Sequence, residues 1–209
     1  LVLVWMVFYY SRAGIYANIA LVVNLLFLLG FLVSLRATLS LPGIAGIILT
    51  LVTGMDANII IYERVKEEIR KGKSLRQAVD FAYSWKGALS AVIDANVTSF
   101  LTALVLFFFG KGPVVGFATT FMIGVLTSTF TAIFLTRYFV EGRLEKGKDV
   151  KFFTNFTAHW LQNIKVDILK KRKIVYIISL VLVAGSLASI FTRGFELGIE
   201  FKGGRTYTV

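Results

Sequence analysis

Two aspartates stand inside stretches otherwise suited to a lipid bilayer, and both occur in the same short word, Asp56-Ala57-Asn58 and Asp94-Ala95-Asn96. Each lies eight residues from a charge at the end of its stretch, Arg64 and Lys86 respectively. At a helical rise of about 1.5 Å per residue, that is about 12 Å into the membrane. The two stretches run antiparallel, so both carboxylates reach a similar depth. Ionisable groups there are costly in lipid and are functional candidates. The chemistry open to them is reversible protonation. Desolvation penalises the charged form of any carboxyl, so such a group can load a proton from one side and release it to the other. A proton crossing 100 mV supplies about 2.3 kcal/mol, and a few could drive a conformational cycle. The alternative is a polar pin, in which Asp and Asn hydrogen-bond across helices and only set packing.

Helical spacing places further polar groups beside these acids. Ser90, Asp94, Thr98 and Thr102 recur every fourth residue; Gly116, Thr120, Gly124, Thr127 and Thr131 recur at threes and fours; Gly46, Thr50 and Thr53 precede Asp56. Small residues let membrane helices approach closely, and hydroxyls can carry water or protons. The expectation is that the three stripes face one another and bury a thin polar seam. Asp56, Asp94, Asn58, Asn96 and Thr98 are the candidate proton relay, and Gly46, Gly116 and Gly124 the packing residues. Every Lys and Arg lies at the end of a stretch, so a cation to pair with the acids must come from elsewhere.

The elements that position these groups follow from composition. The 209 residues are 56% hydrophobic and 17% charged, with no cysteine. A soluble domain runs nearer 45–50% apolar and about 25% charged. Disorder, a disulfide scaffold and a Cys-based metal site are excluded. A spanning helix needs about 20 mostly apolar residues, and 15–35, 42–63, 87–109, 113–136 and 174–191 meet that requirement. Residues 1–10 read as the tail of a further span, and the chain as a piece of a longer protein. The fold expected is an all-α polytopic membrane bundle. A tight turn, Gly110-Lys111-Gly112-Pro113, reverses the chain between two spans.

The net charge is +11, and its placement decides what it means. Seven bases fall between 64 and 86 and ten between 137 and 173, whereas the gaps on the other side hold only Arg36 and Lys111. That asymmetry is the positive-inside pattern, and it suits contact with anionic inner-leaflet lipids. Nucleic acid is not an expected partner. In the cytosolic segment 65–86, Gly72 can end one helix and Ser74 with Gln77 forms a capping box for the next. Leu75, Val79 and Ala82 then share a face, laid against the membrane or the bundle. Segment 137–173, with Phe152, Phe153, Phe156, Trp160 and Leu161 among its bases, reads as an interfacial linker. Gly72-Lys73-Ser74 is no P-loop, because position 67 is Glu and no strand precedes it. His159 is the only histidine, so no His-based metal cluster or triad can form.

Longer motifs carry a resemblance. Leu41-Pro42-Gly43-Ile44-Ala45-Gly46, Met55-Asp56-Ala57-Asn58 and Tyr62-Glu63-Arg64-Val65-Lys66-Glu67-Glu68 resemble the fourth membrane helix of SecD. Ile93-Asp94-Ala95-Asn96-Val97-Thr98 and Phe109-Gly110-Lys111-Gly112-Pro113 resemble its fifth and sixth. Residues 193–204, including Gly198, Glu200, Phe201, Gly203 and Gly204, are similar to the opening of SecF after its first helix. The resemblance implies a SecD–SecF fusion of the resistance–nodulation–division type. Residues 1–137 would be the SecD-like bundle with its helical loop 65–86, 138–173 a cytosolic linker, 174–192 the first SecF-like helix and 193–209 the start of a periplasmic domain.

The family it resembles is an accessory of the Sec translocon in the bacterial inner membrane. It uses the proton gradient, or sodium in some relatives, to draw unfolded exported polypeptide outward through large external domains. Its partners would be the translocon channel, accessory membrane subunits and lipids; no cofactor and no enzymatic reaction are implied. The family's essential aspartate falls on Asp56, Asp94 and Thr98 match the partner word, and the family's arginine belongs to a later SecF helix. Two departures are visible. The family reads Gly-Met-Ala-Val before the aspartate, whereas this chain reads Val52-Thr53-Gly54-Met55, and Glu200 replaces an aspartate. A lipid or drug exporter of the same superfamily and a non-transporting module that docks translocon subunits are the alternatives. An intramembrane aspartyl protease is disfavoured, because Met55 and Ile93 precede the acids in place of that class's Tyr and Gly-x-Gly.

Overall fold

The computed structural model describes residues 2–37, 39–154 and 172–194, and among these all regular structure is helical. The chain divides into two compact units, Leu1–Trp160 and Leu161–Val209. The first contains α1 (Val2–Tyr10), α2 (Arg12–Ser34), α3 (Leu41–Arg70), α4 (Leu75–Ala82), α5 (Leu89–Phe109), α6 (Pro113–Phe130), a π-helical segment (Thr131–Leu135) and α7 (Thr136–Leu144). The second contributes α8 (Arg172–Arg193), an apolar helix with basic residues at both ends. Five helical runs are long and apolar enough to cross a membrane: α2, α3, α5, α6 through α7, and α8. Residues 198–204 and His159 lie outside the described residues.

Local chemistry accounts for the helix ends. Ser40 caps α3 by accepting a hydrogen bond from the Gly43 amide at 3.2 Å, with Pro42 in the first turn, where its missing N–H costs nothing. Ser74 and Gln77 form the expected capping box of α4, with the Gln77 amide donating to Ser74 Oγ at 3.4 Å and the Ser74 amide to Gln77 Oε1 at 3.2 Å. Gly72, at φ +89°, turns the chain between the two helices. Gly110 ends α5, and Gly112, at φ +55°, opens α6 ahead of Pro113, so the short turn is built as expected.

Three boundaries differ from the sequence expectation. Helix α3 does not stop near Glu63 but runs on as one rod of 30 residues to Arg70. At about 1.5 Å per residue it is about 45 Å long, so its charged end projects beyond a hydrocarbon core of about 30 Å. The Arg64–Glu67 and Lys66–Glu63 pairs, at 2.6 and 2.8 Å, extend the helix by satisfying its charges three residues apart. The run from Pro113 also continues past 136, through the π segment to Leu144, so the expected linker begins inside a helix. Lastly, Val150 and Phe152 are buried rather than interfacial. The Phe152 ring meets Tyr62 edge-on at 5.3 Å, and Lys151 O accepts from the Ala13 amide at 3.2 Å, one of the donors left free in the first turn of α2.

Apolar packing at the basic end joins Met6, Tyr10, Ala13, Ile61, Tyr62, Val65, Val79, Val140 and Phe152 in one cluster. Leu75 packs against it as well, so α4 lies against the bundle. Helix α6 is central and packs on α2, α3 and α5, whereas α3 and α5 meet over a smaller contact.

Candidate functional site

The most extensive helix–helix contact among the described residues is between α3 and α6, and small residues make it possible. A Cβ placed on Gly46 would strike Thr120, one on Gly124 would strike Thr50, and one on Gly54 would stand 3.0 Å from Ser128 Cβ. Gly116 is equally close to the capping Ser40. Thr120 Oγ1 donates across the interface to Gly43 O at 3.0 Å. Most hydroxyls along this contact donate to their own helix: Thr50 to Gly46 O at 2.8 Å, Thr127 to Gly124 O at 3.1 Å and Thr131 to Thr127 O at 3.0 Å. Two of the three expected stripes therefore face each other, and they form a knitted packing seam.

The third stripe does not join them. Asp94, Thr98 and Thr102 are exposed, and α5 packs on α6 through Ala103, in contact with Phe121 and Val125. Ala103 is nine residues beyond Asp94, and at about 100° per residue that is half a turn away. Asp56 is exposed too, on the outward side of α3 with Ile48, Val52 and Ile60. It stands about 200° round from Gly54, which faces α6. The expectation of one buried three-stripe seam is thus corrected. The glycines and hydroxyls use the packed side of α3, so Asp56 is turned to its open side, and Ala103 takes the packed side of α5, so Asp94 is turned away. Neither carboxylate has a hydrogen bond or ion pair among the described residues. Thr98 and Thr102 donate to Asp94 O and Thr98 O, at 2.8 and 2.9 Å, continuing the backbone ladder.

The asparagines behave differently from their neighbouring acids. Asn96 is half-buried and donates to Val92 O at 2.8 Å. Asn58 is 4% exposed and donates to Gly54 O at 3.3 Å, which leaves its Oδ1 enclosed without a partner. Asn24 belongs to this set although the motif reading passes over it. It is 1% exposed, and both its Oδ1 and Nδ2 are unpartnered. The available signal is its place on the buried stripe of α2: Ala13, Ala17, Ala20, Asn24, Leu28 and Leu32.

At the basic end, Glu68 is nearly enclosed and bonded to Lys73 at 2.6 Å and Lys71 at 2.9 Å. Those two ammonium donors hold its carboxyl down at about 2. Lys66 is buried beside Glu63, which also accepts from the Tyr10 hydroxyl at 2.9 Å. These groups lie beyond the apolar part of α3. No group of three or more His, Cys, Asp or Glu suited to a metal occurs among the described residues.

Residues 1–143 match the family described as protein export membrane protein SecD/SecF, C-terminal. The chain belongs to the SecD/SecF family. Residues 188–209 match the SecD/SecF GG motif, which covers Gly198 to Gly204. Among SecD relatives, the protein translocase subunit SecD of Rhodothermus marinus is 52% identical over 137 residues, 66% of this chain and 22% of that protein. That of Haemophilus influenzae is 49% identical over 151 residues, 72% of this chain and 24% of that protein. The crystal structure of SecDF, a translocon-associated membrane protein from Thermus thermophilus, superposes with a TM-score of 0.85 at 33% identity. The overlap covers 97% of this chain and 27% of that one. The chain spans about a quarter of the length of these relatives. It is a multi-pass helical membrane protein with the architecture of the SecDF membrane domain.

Proposed function

We propose that this chain is part of an ion-gradient-driven accessory to the Sec translocon, promoting late stages of protein export across the bacterial inner membrane. Asp56 is the proton carrier and Asp94, with Thr98, assists it. The observation that supports this reading is that both carboxylates are exposed, within long apolar helices, on the unpacked sides of α3 and α5. A group needed only for packing belongs on the packed side, where the glycines and threonines are. The relatives' names, translocase subunit and translocon-associated protein, supply the process. No resident cofactor is required, since the coupling ion is H+, or Na+ in its place. The basic segments face the cytosol and anionic lipid, and the partners are the translocon channel, its accessory subunits and the exported polypeptide.

Asp56→Asn in the full-length protein tests the assignment. The expected result is intact assembly in the membrane with loss of gradient-dependent export. Normal export by that variant would remove Asp56 from the mechanism. Retained export with both Asp56 and Asp94 replaced would favour a docking module.

A further inference from the structure

Around Gly54 three helices bring polar residues together, and those of α2 and α3 keep unpartnered atoms. Asn24 comes from α2, Gly54 and Asn58 from α3, and Ser128 from α6. A Cβ on Gly54 would lie 3.0 Å from Ser128 Cβ and 3.7 Å from Asn24 Nδ2, so Ser128 and the Asn24 amide both close on Gly54. Asn58 is one turn further along the same side of α3 and donates to Gly54 O. The hydroxyls nearby are committed as donors: Ser128 Oγ to Val125 O at 3.1 Å and Thr131 Oγ1 to Thr127 O at 3.0 Å. Three enclosed groups are left over: Asn24 Nδ2, Asn24 Oδ1 and Asn58 Oδ1. Enclosed polar atoms are almost always hydrogen-bonded to protein or to ordered water, and the lipid phase offers neither.

We infer that this junction is a buried hydration site, in which ordered water held by Asn24 and Asn58 joins α2 to α3 beside Gly54. The chemistry of the unpartnered groups selects the ligand. They include one donor and two acceptors, and no full charge. A cation would satisfy the two oxygens but be repelled by the Asn24 amide hydrogens, whereas an anion would do the reverse. Water both donates and accepts, and polar recesses of this kind hold it with two to four partners. The absence of a side chain at Gly54 lets the Asn24 amide come within reach of this turn of α3. The site lies on the packed side of the same helical turn that carries Asp56 on its open side, and it does not depend on the proton-carrier reading.

A high-resolution cryo-EM map of the full-length protein in lipid nanodiscs tests this. The expected result is a discrete water peak within hydrogen-bonding distance of the Asn24 amide and Asn58 Oδ1. Direct amide-to-amide contact, or an empty recess, overturns the inference. Melting of the purified full-length variants Asn24→Leu and Asn58→Leu is a second measure. A bridging water predicts that each lowers the melting temperature and that the double variant loses less than the sum. A raised melting temperature for Asn24→Leu would show that its amide is simply unsatisfied, and would also overturn the site.

Discussion

The α3–α6 seam makes a quantitative demand at Gly124. A Cβ added there would meet Thr50 Cγ2 at 2.5 Å and Thr50 Cβ at 2.8 Å, as well as the threonine hydroxyl. Carbon atoms settle at about 3.5–4.0 Å from one another, so even the Thr50 Cβ is too close by at least about 0.7 Å. Rotating the threonine moves Oγ1 and Cγ2 but not Cβ, and the backbone must therefore yield. Overpacking of this kind costs typically about 1–3 kcal/mol. Gly124→Ala should lower the melting temperature of the full-length protein in detergent by several degrees. Thr50→Gly in the same chain removes the three nearest atoms and should restore part of the loss. Gly30→Ala is the control, because a Cβ at Gly30 on the outward side of α2 has nothing within 4 Å. That control should be neutral or slightly stabilising, since Ala is the better helix former by about 1 kcal/mol. If Gly124→Ala melts as the parent does, or if Thr50→Gly fails to rescue it, α3 and α6 do not interlock as described.

Two further outcomes follow from the ends of the helices. Glu68 is held at about 2, below its ordinary value of 4.5, so it contributes stability above pH 4.5 that is lost as the pH falls towards 2; melting followed from pH 7 to 2 should fall less steeply in that range for Glu68→Gln, and equal slopes would contradict the enclosed ion cluster. Gly112→Ala forces an L-residue into φ +55°, ψ −124°, a strain of about 1–3 kcal/mol; its melting temperature should fall although a Cβ there touches nothing, and an unchanged value would refute the turn geometry.

Much of the architecture is legible because it depends on local chemistry. Ser40 with Pro42, Ser74 with Gln77, and the Gly110–Pro113 turn act over three or four residues, so their spacing predicts their geometry. The apolar spans are legible because the bilayer sets their length. The lateral arrangement is not. Stripes on α3, α5 and α6 have the same period, and nothing in a period says which neighbour each stripe faces. α5 turns Ala103 to α6 and Asp94 away because Phe121 and Val125 offer an apolar surface that a small residue fits. Asn24 is missed for a related reason. Its environment is assembled from α3 and α6, far from it in sequence, although its register with Ala17, Ala20 and Leu28 marks it as a core position.

The displaced glycine before Asp56 shows how one helical turn serves two sides. Gly54 lies against Ser128, and Asn58, one turn on, keeps the same direction, while Asp56 between them points the other way. With the glycine at position 54, the packed side of α3 carries a residue lacking a side chain and Asp56 is left on the open side. Gly46 and Gly54 supply such residues on the turns either side of Thr50, and Gly124 on α6 leaves the gap that Thr50 fills. Close approach on one side of α3 fixes its rotation about its own axis. That fixed rotation, and not the burial of the carboxylates themselves, is what holds Asp56 on the open side at a defined depth.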